Sequence, residues 1–315
     1  MHSRSVSIIR VAYTVALLLA AGAAAQELEP RAYSASPTGA NFVGIGFERS
    51  SGSVLFDPTI PLTDVHADIS SPVLGIGRTF GLFGRQALAT AALPYAFGNI
   101  SGKVGPQLQP GKITRSGLAD LRLKFSLNLH GSPALKLPDF ARNRRRTFLL
   151  GTSLTVQAPV GQYDPAKLVN LGTNRWAFKP EVGVSYPVKK FYFDVYVGAW
   201  LFTGNPRFFP GGNVRKQDPL TTLQAHASYT LRPHLWLAFD STWYSGGAGH
   251  LNGGPSVARQ NNSRLGATLS FPLSKRQSVK VAYAGGVSAR TGSNFNTVNV
   301  LWQFLWFDVG RSLRP

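Results

Sequence analysis

The chain has 315 residues, of which 15% are charged and 11% aromatic, with 33 glycines, no cysteine and a formal net charge of +19. The missing cysteines remove disulfide frameworks, thiolate metal sites and cysteine nucleophiles together, and the glycine and aromatic content favours strands and tight turns over helices. Mean hydropathy is −0.03, and beyond residue 25 no apolar run approaches the roughly 20 residues of a spanning helix, so a membrane crossing would be made by strands.

Residues 1–25 read as a secretory signal. Arg4 and Arg10 precede the apolar run 11–20, and Ala23, Ala24 and Ala25 form a small-residue cleavage site, so the mature chain starts at Gln26. Export argues against a nucleic-acid partner for the basic charge. The cations gather in expected turns, as at Arg142, Arg144, Arg145 and Arg146, at Lys189 and Lys190, and at Lys275 and Arg276. Solvated turns beside an anionic membrane surface explain that distribution without a nucleic-acid motif.

Residues 26–40 have no periodicity and read as an irregular leader. Strands are expected over 41–47, 66–79, 86–100 and 118–130, with long loops over 49–64 and 101–117. The stretch LRLKFSLNLH at 121–130 carries the pattern most plainly. Leu121, Leu123, Phe125, Leu127 and Leu129 share one face, and Arg122, Lys124, Ser126, Asn128 and His130 the other. The connection 131–146 is long, with one helical turn expected over 138–142.

Further strands follow over 147–158, 176–186, 191–202, 220–231, 234–244, 262–271, 278–290 and 295–307. Their connections alternate between long, Gly-rich loops and short turns such as 187–190, 232–233 and 272–277. An even set of about 12 strands with that alternation predicts an all-β, transmembrane, antiparallel up-and-down β-barrel. The last strand must then pair with the first, because lipid tolerates no open sheet edge. The expected organisation is one barrel domain over 26–315, with strands in 41–307 and a tail over 308–315.

The segments SGSVLFDP (51–58), APVGQYDP (158–165), NLGTNRW (170–176), KPE (179–181), QAH (224–226), WQ (302–303) and LWFD (305–308) resemble those of an outer-membrane transporter family, the MetA-pathway of phenol degradation proteins. The resemblance implies a bacterial outer-membrane barrel that passes small aromatic or hydrophobic compounds. It brings no catalytic residues. Many barrels end on an aromatic residue, whereas this chain continues past Phe307, which points to Trp306 and Phe307 as an internal signal for the barrel-assembly machinery.

The inward polar positions are the candidate pore lining: Arg122, Lys124, Lys179, Glu181, Asp194, Tyr196, His226, Asp240 and Lys280. They either screen solutes by charge and size or form ion pairs that brace a narrow barrel. Aromatic residues near the loop side are an interfacial belt or a constriction, with Phe208 and Phe209 the best candidates for the latter. His226 with Ser228 and Asp240 is a weak hydrolase-like grouping, Gly75 and Gly77 lack dinucleotide-loop spacing, and Asp57, Asp64 and Asp68 match no EF-hand loop. The expectation is a passive channel or facilitator in outer-membrane lipid and lipopolysaccharide, not an enzyme, with no cofactor or metal. The alternatives are a barrel enzyme acting on envelope lipids and a structural or adhesive barrel with a blocked lumen.

Overall fold

The computed structural model describes residues 28–55, 62–104, 109–143 and 147–308. The expected signal segment, Arg144 to Arg146, Asp57 and the tail beyond Asp308 lie outside the described residues.

The chain forms β1 (Ala40–Leu55), β2 (Leu62–Leu82), β3 (Arg85–Val104), β4 (Gln109–Leu118) and β5 (Leu121–His130), then a short helix α1 (Leu137–Arg142). After it come β6 (Leu149–Ala158), β7 (Ala177–Val188), β8 (Phe191–Phe202), β9 (Asn205–Phe208), β10 (Asn213–Gln217), β11 (Leu220–Arg232) and β12 (Leu235–Gly246). β13 (Gly249–Leu251), β14 (Gln260–Pro272), β15 (Gln277–Ser288) and β16 (Gly292–Phe307) complete the order. β4 and β5 both lie antiparallel to β3, along its second and first halves, and act as one long strand interrupted at Ala119 and Asp120. The main sheet therefore closes as a 12-strand antiparallel barrel.

Closure is made by β1 against β16, in register from Ala40 opposite Phe307 to Leu55 opposite Gly292. With β4 and β5 counted as one, every wall strand thereby finds a neighbour on both sides, as a barrel in hydrocarbon requires, and only the β4 part is paired on one side alone, with β3. The alternation of side chains decides which face is which. Phe193, Val195 and Val197 of β8 are exposed on the outside, while Asp194, Tyr196 and Trp200 are buried inside. β5 behaves likewise, with Leu123, Phe125 and Leu129 exposed and Ser126 and Asn128 buried. A half-buried barrel wall with its apolar side outward is the inverse of a water-soluble sheet, and it is stable only with lipid on that side.

Two stretches expected as loops extend strands of the wall. β1 runs on to Leu55, and β3 with β4 extends the sheet through most of 101–117. These extensions stand beyond the apolar band, where the outward side chains meet water instead of lipid, while on the inner side of β1 Val54 is buried in an apolar cluster. Period-2 hydrophobicity has no physical reason to persist there, so the pattern fades although the backbone ladder continues.

The short turns, both ends of the β-wall and α1 gather at one end, which in such barrels is periplasmic; the long connections gather at the other. Two of these connections, 203–219 and 247–259, carry a separate small sheet in the order β13, β10, β9. Two buried apolar clusters among the described residues lie at that long-loop end. One joins Ala177, Trp200, Leu220 and Tyr244, and the other Val54, Val65, Ala67 and Phe295.

Candidate functional site in the barrel lumen

The lumen is occupied by the chain's own leader. Residues 28–39 form neither strand nor helix but enter at the short-turn end, where the Thr38 amide donates to the Leu135 carbonyl at 2.8 Å. They then follow the inner wall. The Ser36 amide donates to Gln86 Oε1 at 2.8 Å, and Asn128 Nδ2 donates to the Tyr33 carbonyl at 3.1 Å. The amides of Ala32 and Arg31 donate to the Tyr196 hydroxyl at 3.0 Å and to Asp194 Oδ2 at 3.2 Å. Arg31 Nε and Nη2 donate to Ser228 at 2.7 Å and Thr230 at 2.8 Å, with the guanidinium lying between the Tyr192 and Trp236 rings at 4.6 and 4.7 Å. Glu29 is ion-paired with Lys124.

Tyr33 is the anchor, at 1% exposure. Its ring rests on Gly151 of β6 and Gly183 of β7, which are direct cross-strand partners. A Cβ on either glycine would come within 2.1 Å of that ring, so the two glycines are a groove cut for it. The hydroxyl donates to Glu181 Oε1 at 3.2 Å and lies 3.0 Å from Ser153 Oγ.

The residues expected along the pore face one space. Glu181 is its hub, 3.1 Å from Lys179 and 4.0 Å from Lys124, and it accepts a 3.3 Å bond from Gln224. His226 Nδ1 lies 2.7 Å from Asp240 Oδ1, Asp240 also accepts from Thr268 at 2.6 Å, and Asp194 accepts from Ser185. Strand register explains the row, because His226 stands opposite Asp194 on one side and Asp240 on the other. Lys280 lies over the Trp236 ring at 5.8 Å, and Arg122 is half-buried beside Gln157. His226 Nε2 has no partner, and Ser228, the nearby hydroxyl, is engaged by Arg31. Among the described residues no hydroxyl is therefore hydrogen-bonded to that imidazole nitrogen as a nucleophile would be.

The two loop aromatics separate. Phe208 on β9 is buried with the Arg215 guanidinium 5.6 Å from its ring centroid, while Phe209 is only half-buried and its carbonyl accepts from Asn213 at 2.7 Å. Asp64 and Asp68, weighed as calcium ligands, are ion-paired to Lys103 and Arg49. Sequence reasoning missed the leader's part altogether. Its signal was the mixture of Glu29, Arg31 and Tyr33 in a segment too short and too Pro-rich to fold alone.

The family model described as Putative MetA-pathway of phenol degradation matches residues 47–302. The chain belongs to that family. No curated protein sequence matches it. Among solved structures, the phenol-degradation family member described here is similar to an outer membrane channel from Pseudomonas putida F1, with a TM-score of 0.73 and 20% identity over 89% of this chain and 100% of that one. It also resembles the transport unit of the autotransporter AIDA-I from Escherichia coli, at TM-score 0.53 and 11% identity over 95% and 98% of the two chains. The β domain of the Bordetella autotransporter BrkA follows at TM-score 0.50 and 12% identity over 84% and 99%. At such identities these likenesses concern the fold, which is that of an outer-membrane barrel.

Proposed function

We propose that this protein is an outer-membrane channel or facilitator through which small aromatic or hydrophobic compounds pass down a gradient, without catalysis. The observation that carries the reading is the way the lumen is closed. The obstruction is the leader up to Ser36, which is held to the wall through side-chain contacts, outside its hydrogen-bond ladder, so it can leave while the barrel stays intact. Family membership agrees, and so does the fold shared with the Pseudomonas putida protein, which is called an outer membrane channel.

In this reading Arg122, Lys124, Lys179, Glu181, Asp194, Tyr196, His226, Asp240 and Lys280 line the path once the leader has moved, and Phe208 and Phe209 contribute aromatic surface near its outer mouth. Residues 1–25 are removed on export, the barrel-assembly machinery reads Trp306 and Phe307, and lipopolysaccharide meets the cations of the long-loop end. Mass spectrometry of the protein from outer membranes tests the first point through an N-terminus at Gln26.

Flux tests the whole. Purified barrel in planar bilayers or liposomes should conduct weakly, and a form lacking residues 28–36 should conduct several-fold more and admit neutral aromatics. The filled lumen favours one second reading, a structural barrel that stays blocked. That reading wins if the folded, leader-deleted barrel passes neither ions nor solutes.

A further inference from the structure

At the short-turn end the leader does not fill the whole mouth of the barrel. Its residues Ser36 and Thr38 are held on the side of Gln86 and Leu135, and the Ala134 amide ties the segment before α1 to the Gly84 carbonyl at 3.0 Å. Between that segment, α1, the leader and the ends of β5, β6 and the β7–β8 turn lies a cavity of about 630 Å³. Small-molecule sites span roughly 300–1,000 Å³, so the space is of ligand size.

The lining is of two kinds. Leu135, Phe140 of α1, Leu149, Pro187 and Tyr192 make it apolar and aromatic over most of its wall, with Ala35 of the leader adding a methyl group. Arg85 and His130 are its basic residues, and among the described residues no acid lines it. Arg85 has no ion pair among the described residues, and the acid of α1, Asp139, is itself paired with Arg142 at 3.8 Å. The His130 ring lies 6.0 Å from that of Phe148, and its nitrogens have no hydrogen-bond partner among the described residues. Such walls attract the body of an aromatic solute by burial. A guanidinium with no acid in the same lining adds a preference for a carboxylate, which its paired N–H donors can hold.

We propose that this cavity binds a small aromatic carboxylate, with the ring against Phe140, Leu149 and Tyr192, the carboxylate on Arg85, and His130 as a further N–H donor. The site goes beyond the channel reading and does not need it, because binding at the mouth requires no flux. A fatty acid carries the same head group, but the aromatic side chains of the wall favour a flat ring over a flexible chain.

Isothermal titration of the full-length barrel in detergent, corrected for titration into micelles alone, compares 2-naphthoate, 2-naphthalenemethanol, 2-naphthylmethylammonium and octanoate. Naphthoate should bind at least fivefold more tightly than each of the others. Arg85→Glu should reverse the charge preference, so that the ammonium compound binds more tightly than naphthoate, a gain that damage to the fold would not produce. Phe140→Ala should weaken naphthoate and the alcohol alike, by at least threefold. Both side chains lie off the wall ladder, and heat-modifiable gel mobility checks that both variants fold. Absent naphthoate binding, equal wild-type affinity for naphthoate and the alcohol, or an unaltered preference in Arg85→Glu overturns the site, as do wild-type affinities in Phe140→Ala. Tighter binding of octanoate overturns the aromatic assignment. Naphthoate binding in a barrel that shows no flux in any form keeps the site and removes the channel reading, and flux without such binding does the reverse.

Discussion

Glycine 151 shows how one missing Cβ shapes the lumen. The three atoms nearest to a Cβ placed there all belong to the Tyr33 ring, and the opposite glycine, Gly183, completes the groove. Gly151→Ala costs the strand little, since alanine fits β geometry at least as well as glycine, yet its methyl cannot coexist with the ring. Tyr33 should be expelled, losing the equivalent of a large-to-small core change, about 3–5 kcal/mol of leader docking. Hydrogen exchange would read this as fast amides at 28–39 beside an unchanged wall, and bilayer recordings as conductance near that of the leader-deleted form. Protected leader amides in the variant would show that Tyr33 is not the anchor. The glycine itself is legible in the sequence, but its partner is not, because Tyr33 and Gly151 are brought together only by the path of the leader.

At the level of single elements, β5 is the plainest strand and the leader the least plain. Leu123 faces lipid and Lys124 faces the interior, ion-paired to Glu29. An arginine on the lipid face near mid-height costs about 2–4 kcal/mol, so Leu123→Arg should reduce folded barrel in the outer membrane strongly. Lys124→Gln should assemble normally and loosen only the leader, seen as higher conductance. Equal assembly defects in both variants would mean that the faces have been misjudged. β5 is readable because its two faces meet different solvents, which writes period 2 into the side chains. The end of β1 and the β3–β4 extension have no lipid on their outer side, and there Ser, Gly and Pro conceal a continuous ladder. The leader has the opposite difficulty. Its order comes chiefly from contacts with strands some 50 to 200 residues away in sequence, such as Gln86, Asp194 and Thr230.

For the molecule as a whole, closure is the condition on which everything else depends. Val300 of β16 sits in the seam, opposite Phe47 of β1 and Val281 of β15. Val300→Pro removes a backbone donor in a strand paired on both sides and strands carbonyl groups in hydrocarbon, where each unsatisfied group costs several kcal/mol. Barrel assembly should fail, read as loss of heat-modifiable mobility and of protease resistance. Proline at Val257, in the connection between β13 and β14, should leave mobility unchanged. A heat-modifiable Val300→Pro barrel would mean that the seam between β1 and β16 is not what holds the cylinder shut.

Alternation of side chains, alternation of connection lengths and an even strand number are local or one-dimensional properties, and from them the barrel, its inward polar row and its lipid face could all be derived. They depend only on which solvent each residue meets. The occupied lumen and the Tyr33 groove were settled only by the tertiary structure. Each needs residues distant in sequence to meet inside a closed wall, and closure also decides that Lys179, Glu181, His226 and Asp240 share one enclosed space and do not lie along a flat polar face.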